Sequence, residues 1–192
     1  MKANACLIRQ VALGLLLGFA GAAHAADIGT LTTRAAAAAK GGNAAGSVEA
    51  LEQALEQVRL EAPMVLQPFL VVSRPAKFFG DFEARADASY RKGEKMYFYI
   101  EPKNLVMQRS SAGIYEPAFE VDVEIKGPGG QSMKQPKFGT FRLPTRSRVQ
   151  DVYLNLTLSL SDAPPGKYGV QFVVRDLNSK KTATVEQPIT LR

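Results

Sequence analysis

The chain has 192 residues, of which 46% are hydrophobic, and a formal net charge of +6 at pH 7. This length predicts one folded domain with extensions rather than several domains. The only cysteine is Cys6 and the only histidine is His24, so sites that need several cysteine or histidine ligands are excluded. No basic stripe is interleaved with stacking aromatic residues, so nucleic acid is not a predicted partner.

The first 25 residues have the pattern of a Sec-type signal peptide. Lys2 and Arg9 accompany an apolar run over 11–20 that is too short to span a bilayer, and the Ala-His-Ala at 23–25 fits the cleavage rule. We expect cleavage after Ala25, export to the periplasm or the medium, and no integral membrane span afterwards. Cleavage lowers the net charge from +6 to +4 and removes the cysteine and the histidine. Disulfides, Cys or Ser-His nucleophiles, His-based acid–base catalysis and cofactor or metal sites are then not expected.

Residues 26–46 are rich in alanine and glycine, a composition typical of a flexible linker. An amphipathic helix is predicted over 47–62, with Ser47 as its N-cap and Pro63 ending it. Its apolar positions recur at three- and four-residue steps: Val48, Leu51, Leu55, Val58 and Ala62. We expect this stripe either to dock on the following domain or to form a homodimer, because heptad-like spacing suits a helix pair.

The β-strand pattern begins after Pro63 and continues to the end of the chain. Alternating or apolar runs predict strands over 64–72, 78–88, 96–100, 119–125, 137–143, 152–161, 168–174 and 182–191. Clusters of glycine, proline and asparagine separate several of these runs. The number and spacing of the strands predict a β-sandwich over 63–192.

The end of the chain resembles immunoglobulin-like and fibronectin type III-like domains of secreted bacterial proteins. The resemblance is carried by the Pro-Pro-Gly-Lys-Tyr corner at 164–168, the hairpin that follows it and the strand at 97–101. It implies a mainly β fold, an immunoglobulin-like antiparallel β-sandwich with one N-terminal amphipathic helix. It also implies a tyrosine corner, in which Tyr168 follows Pro165 and Gly166 and is buried. The resemblance implies no activity.

The candidate binding surface lies on and before the 96–100 strand. Its apolar residues form the better core set, so Tyr97 and Tyr99 are predicted to face outward. Three basic turn residues lie beside them: Arg91, Lys92 and Lys95. Exposed tyrosines near cations are typical of interfaces. The alternative is that helix 47–62 or segment 64–72 covers the two rings and makes them a second, smaller core.

Two groups of oxygen-bearing residues suggest other chemistry. Glu120, Asp122 and Glu124 share one face of a strand at a separation that suits an inverting glycosidase, but ion pairing to the next strand is favoured. The 176–179 turn, with Asp176, Asn178 and Ser179, offers calcium ligands, but ordinary hairpin chemistry is favoured.

The sequence therefore predicts a non-enzymatic periplasmic or secreted module that binds an envelope protein or a cell-envelope polymer. One alternative is a carboxylate-based hydrolase that acts on polysaccharide. The other is a structural accessory domain that oligomerises through its helix.

Overall fold

The computed structural model describes residues 27–192, so the predicted signal peptide lies outside the described residues. The elements are α1 (Ile28–Lys40), α2 (Ala44–Glu61), β1 (Val65–Val72), β2 (Ser89–Tyr90), β3 (Met96–Lys103), β4 (Ala118–Lys126), β5 (Ser132–Arg142), β6 (Leu154–Leu158), β7 (Gly166–Asp176) and β8 (Thr182–Leu191). Neither described helix has the length and apolarity needed to cross a membrane.

The predicted linker over 26–46 is corrected by the structure, because most of it is helical. The side chain of Asp27 caps α1 by accepting a hydrogen bond from the Thr30 amide at 2.9 Å. Alanine has the highest helix propensity of any residue, and its small side chain also allows two helices to approach closely. The stretch lacks large apolar residues of its own, and its helix is ordered by packing against α2.

The two helices form an αα-hairpin in which small side chains make the contact. Leu31 and Ala35 of α1 are buried, as are Ala50 and Ala54 of α2. Helix α2 begins at Ala44 rather than after Ser47. Its N-cap is Asn43, whose side chain accepts a hydrogen bond from the Gly46 amide at 2.9 Å.

Two sheets form the rest of the described chain and confirm the predicted mainly β fold. The three-stranded sheet has the order β1-β3-β6, and the five-stranded sheet has the order β2-β8-β7-β4-β5. All pairs are antiparallel except β2 with β8. The core lies between the sheets, where the rings of Phe98 in β3 and Phe172 in β7 meet with centroids 5.0 Å apart.

The predicted strand over 78–88 is a loop in the structure, and its one strand-like contact is a bridge between Val72 and Ala84. The loop instead gains order from a bidentate ion pair. Arg74 Nη2 and Nη1 donate to the two oxygens of Asp81, at 2.7 and 2.9 Å, and Asp81 also accepts the Lys77 amide at 3.0 Å. The alternation at 82–88 consists mainly of alanine against charges, so it buries too little apolar area to pair as a full strand.

The helical hairpin contacts the sandwich through polar groups rather than through the apolar stripe. Glu56 accepts a hydrogen bond from Gln150 and forms an ion pair with Arg148. Lys181 donates to the Arg59 carbonyl at 2.5 Å. The stripe residues Val48, Leu51, Leu55 and Val58 stay 44–55% exposed. The expectation that the stripe docks on its own sandwich is therefore wrong.

Candidate ligand-binding cleft

A cleft of about 1000 Å³ opens where β2, the turn after it and the end of β8 meet, and we call it the β2 cleft. Its lining residues are Arg85, Asp87, Ser89, Tyr90, Arg91, Lys92, Gly93, Glu94 and Arg192. The parallel pairing of β2 with β8 brings the two ends of this set together, because Ser89 lies opposite Thr190 and Tyr90 opposite Leu191.

Arg85 joins the segment before β2 to the turn after it. Its Nη1 donates to Glu94 Oε1 at 2.9 Å, and its Nη2 donates to the Ser89 carbonyl at 3.0 Å. The second oxygen of Glu94 accepts the Arg91 amide at 2.9 Å. Gly93 has a positive φ of 74°, which a glycine tolerates without strain, and its amide donates to the Leu160 carbonyl. These bonds fix the turn against the sandwich.

The electrostatics of the cleft follow from which charges are already paired. Asp87 pairs with Arg85 at 3.9 Å and with Arg192 at 3.7 Å, and Glu94 pairs with Arg85. Arg91 and Lys92 form no ion pair within residues 27–192 and are exposed. The exposed Lys95 follows in the same turn and has no ion-pair partner in this range either. The cleft therefore presents unneutralised positive charge.

Tyr90 places a buried polar group beside these charges. The residue is 1% exposed, and its hydroxyl has no hydrogen-bond partner within the described part of the chain. The Arg85 guanidinium lies 4.4 Å from the ring centroid, which is within cation–π range. Burial raises the pKa of the Tyr90 phenol. The phenol is therefore neutral at ordinary pH and does not reduce the positive charge of the cleft.

The predicted tyrosine patch is corrected by the structure. Tyr99 is fully buried, and Tyr97 is half-buried against the same small cluster. The cover comes from the loop after β1, since the Phe82 ring lies 4.9 Å from that of Tyr99 and the Gly80 amide donates to the Tyr99 hydroxyl. Burial raises the pKa of Tyr99 to about 12. The alternative of a second core is thus observed, although helix 47–62 does not cover it.

The three carboxylates of β4 lie in an ion-paired network. Arg175 of β7 contacts both Glu120, at 3.5 Å, and Asp122, while Lys134 of β5 lies 3.3 Å from Glu124. The Arg175 side chain holds the pKa of Asp122 below its usual value, and the Ser132 hydroxyl does the same for Glu124. A general acid needs the opposite shift, so this arrangement favours a structural role.

The 176–179 turn uses its oxygen atoms for hydrogen bonds within the protein. Asp176 is 1% exposed, and its carboxylate accepts from the amides of Val106 and Asn178 and from the Ser179 hydroxyl. Asn178 Nδ2 donates to the carbonyls of Val106 and Glu116. No cluster of three metal-binding side chains occurs among residues 27–192. This geometry is that of a hairpin tied to a neighbouring loop.

The corner before β7 has the geometry of a tyrosine corner. Tyr168 is 6% exposed, and its hydroxyl donates to the Pro164 carbonyl at 2.7 Å. Pro165 precedes Gly166, which has φ 154°, and a Cβ at Gly166 would lie 2.9 Å from the Pro128 ring. Pro165, Gly166 and Tyr168 therefore set the path of the chain into β7, and none of them lines the β2 cleft.

Of the five predicted binding residues, Arg91 and Lys92 line the cleft and Lys95 follows them in the same turn. Tyr97 and Tyr99 lie away from the cleft, in the smaller hydrophobic cluster. Four residues that line the cleft were not predicted from the sequence: Arg85, Tyr90, Glu94 and Arg192. A concentration of charge over 85–95 is visible in the sequence, but the contribution of Arg192 depends on the β2–β8 pairing.

Comparisons with known proteins identify no family. No family model matches the chain, and no curated protein matches it. Among solved structures, a Niemann-Pick type C2 protein from the Japanese carpenter ant is 10% identical with a TM-score of 0.44, covering 68% of this chain and 94% of its own. The sporulation control protein Spo0M from Bacillus subtilis is 11% identical with a TM-score of 0.34, covering 68% and 50%. A putative superoxide reductase from Thermotoga maritima is 12% identical with a TM-score of 0.33, covering 56% and 83%.

Proposed function

We propose that this chain is a non-enzymatic binding module, exported to the periplasm or the medium, that holds an anionic cell-envelope polymer in the β2 cleft. The observation that carries the proposal is the charge balance of the cleft. Its two carboxylates are paired to Arg85 and Arg192, whereas Arg91 and Lys92 have no ion-pair partner in the described range.

The shape of the site favours a polymer over a small molecule. Sites for small ligands are mostly apolar and enclose most of the ligand. Here the lining is dominated by charged side chains, and Arg91, Lys92 and Lys95 are all exposed within residues 91–95. Exposed cations attract an extended polyanion over several ångströms and lose little hydration on contact.

Two alternative functions, a carboxylate-based hydrolase and a structural accessory domain, have less structural support than binding in the cleft. The carboxylate hydrolase would need a raised pKa among Glu120, Asp122 and Glu124, and the pKa values of Asp122 and Glu124 are lowered. A structural role through self-association of α2 is favoured by the exposure of its apolar stripe. An envelope protein with an acidic surface would meet the same cations as a polymer would.

The binding proposal is tested with dextran sulfate as the anionic probe and neutral dextran as its uncharged counterpart. We expect salt-sensitive binding to dextran sulfate alone. The triple variant R91S/K92S/K95S should bind it about tenfold or more weakly, because each exposed cation contributes several tenths of a kcal/mol. The control K40S/K77S/R146S removes the same charge from exposed positions elsewhere and should bind nearly as the wild type does. Equal losses in both variants, or binding to neutral dextran, would contradict the proposal.

A further inference from the structure

The apolar stripe of α2, defined as Val48, Leu51, Leu55 and Val58, has no cover among the described residues. Its members are 55, 51, 46 and 44% exposed. Helix α1 covers a neighbouring face, where the small residues Ala50 and Ala54 are buried. The sandwich touches α2 through the Glu56 side chain and the Arg59 carbonyl. Four large apolar side chains in one exposed row on a helix indicate an interface.

We propose that the stripe is the contact between two copies of this chain, paired as antiparallel α2 helices about a two-fold axis. The spacing of three, four and three residues between its members is that of a coiled-coil seam. In an antiparallel pair, Val48 of one copy faces Val58 of the second copy, and Leu51 faces Leu55. The same two contacts recur on the other side of the axis, so the stripe is complementary to itself, as a two-fold interface requires.

Charge excludes an anionic membrane surface as the occupant, and the self-complementary spacing favours a second copy. Helix α2 carries four carboxylates, at Glu49, Glu52, Glu56 and Glu61, and one cation, at Arg59. An amphipathic helix that lies on an anionic bilayer needs lysine or arginine on its polar face, and this helix would be repelled. The attractive part of this surface is the apolar stripe, which can bury its side chains against the same stripe of a second copy.

The charged residues beside the stripe select the antiparallel orientation. Glu52 and Arg59 occupy the same flank, seven residues apart, and within one chain Arg59 pairs with Glu56 at 3.3 Å. Side chains on an α-helix lean towards its N terminus, so Glu52 of one copy and Arg59 of the second copy lean towards each other in an antiparallel pair. A parallel pair would instead place Glu52 beside Ser47 and Arg59 beside Ala54, which gives no ion pair. Opposite charges at such flanking positions set the orientation of helix pairs.

The test is the molar mass of the protein in solution, measured by light scattering across a concentration series. The wild type should have the mass of two chains. L51E/L55E should dissociate at least about 100-fold more readily, since each buried leucine is worth roughly tenfold or more. The control L60E changes a residue of α2 that is 47% exposed outside the stripe and should stay dimeric. Helical circular dichroism should be the same in all three proteins, because each substitution is at an exposed position.

The orientation has its own test. E52R should weaken the dimer about tenfold, as expected for loss of attraction and gain of repulsion at two symmetric sites, and E52R/R59E should restore it. A wild type that stays monomeric at every concentration, or an L51E/L55E variant that stays dimeric, would overturn the proposal. Failure of R59E to rescue E52R would overturn the antiparallel arrangement. The dimer is independent of the β2 cleft, so binding of dextran sulfate by L51E/L55E separates the two proposals.

Discussion

Glu94 accepts a hydrogen bond from Arg85 Nη1 at 2.9 Å through one oxygen, and through the other it accepts the Arg91 amide at 2.9 Å. One carboxylate therefore holds both sides of the β2 cleft, because Arg85 precedes β2 and Arg91 follows it. The Arg91 amide and then the Arg85 guanidinium hold the pKa of Glu94 below its usual value. Ionised Glu94 therefore orders the turn that carries Arg91, Lys92 and Lys95.

The first prediction concerns Glu94→Ala. Two charge-assisted hydrogen bonds are lost, but the side chain is one-third exposed, so we expect a loss of about 1 kcal/mol in the free energy of unfolding. The measurement is chemical denaturation at neutral pH. Asp162→Ala is the matched control, because Asp162 is exposed and has no ion pair within 27–192. It should change stability by less than about 0.5 kcal/mol, and an equal loss in both variants would contradict the role assigned to Glu94.

The second prediction concerns Tyr99 of β3, which is buried in the smaller hydrophobic cluster. Tyr99→Ser should lower the free energy of unfolding by about 3–5 kcal/mol, as other large-to-small core substitutions do. Tyr99→Phe should cost less, because it removes only the hydroxyl that bonds to Gly80 and Glu101. The half-buried Tyr97 serves as the control, and Tyr97→Ser should cost less than Tyr99→Ser. Denaturation midpoints of the three variants decide whether this face is covered in solution.

Local alternation was enough to predict much of the sandwich. The strands β4, β7 and β8 follow their period-two patterns closely, because one face of each meets the core and the pattern records that contact. Alternation failed for Tyr99 because a period of two cannot distinguish an exposed face from one covered by another segment. The cover here comes from the loop that contains Gly80 and Phe82, and no local signal of that loop indicates where it folds.

The rest of the site depends on contacts between distant parts of the chain. Arg192 reaches the cleft only because β8 pairs in parallel with β2, about a hundred residues earlier. The alanines of α1 look like linker residues until a second helix with Ala50 and Ala54 is placed beside them. In both cases the missing information was tertiary packing, which overrides local propensity.

The third prediction concerns the tyrosine corner. Tyr168→Phe should cost about 1 kcal/mol, the usual net contribution of one hydrogen bond, because the hydroxyl donates to the Pro164 carbonyl at 2.7 Å. Equilibrium denaturation measures the loss. Tyr153→Phe is the control, since Tyr153 stacks on Tyr99 at 5.6 Å through its ring, which phenylalanine keeps. An unchanged midpoint for Tyr168→Phe would show that the corner bond adds nothing to stability.

The fourth prediction separates a hairpin from a calcium site at 176–179. Chelators such as EGTA should leave the thermal midpoint unchanged, because the Asp176 oxygens are bonded to protein donors. Asp176→Ala should cost about 3 kcal/mol, since it leaves buried donors unpaired. A drop in midpoint on adding EGTA, reversed by excess calcium, would contradict the hairpin interpretation.

The last prediction is the pH dependence of the loop that covers Tyr99. The Arg74 side chain, together with the Lys77 amide, lowers the pKa of Asp81 to about 2 from its usual value of 3.8. A lowered folded-state pKa means that the ionised group stabilises the fold above the unfolded pKa and that this contribution is lost as the pH falls through the folded pKa. Asp81 therefore contributes fully above about pH 5, and its contribution decreases between pH 4 and pH 2.

The Asp81→Asn variant makes this dependence measurable, because asparagine keeps the size of the side chain and cannot ionise. Wild type should be more stable than the variant at pH 7, and the difference should shrink from pH 4 downwards and be largely lost as the pH falls through 2. Glu186→Gln is the control, since Glu186 forms one exposed ion pair, with Lys126 at 3.5 Å, and does not hold this loop. A stability difference that stays constant between pH 7 and pH 2 would show that the Arg74–Asp81 pair does not hold the loop in place. The cover of the Tyr99 ring would then come from its apolar neighbours, among them Phe82, Ala76 and Tyr153.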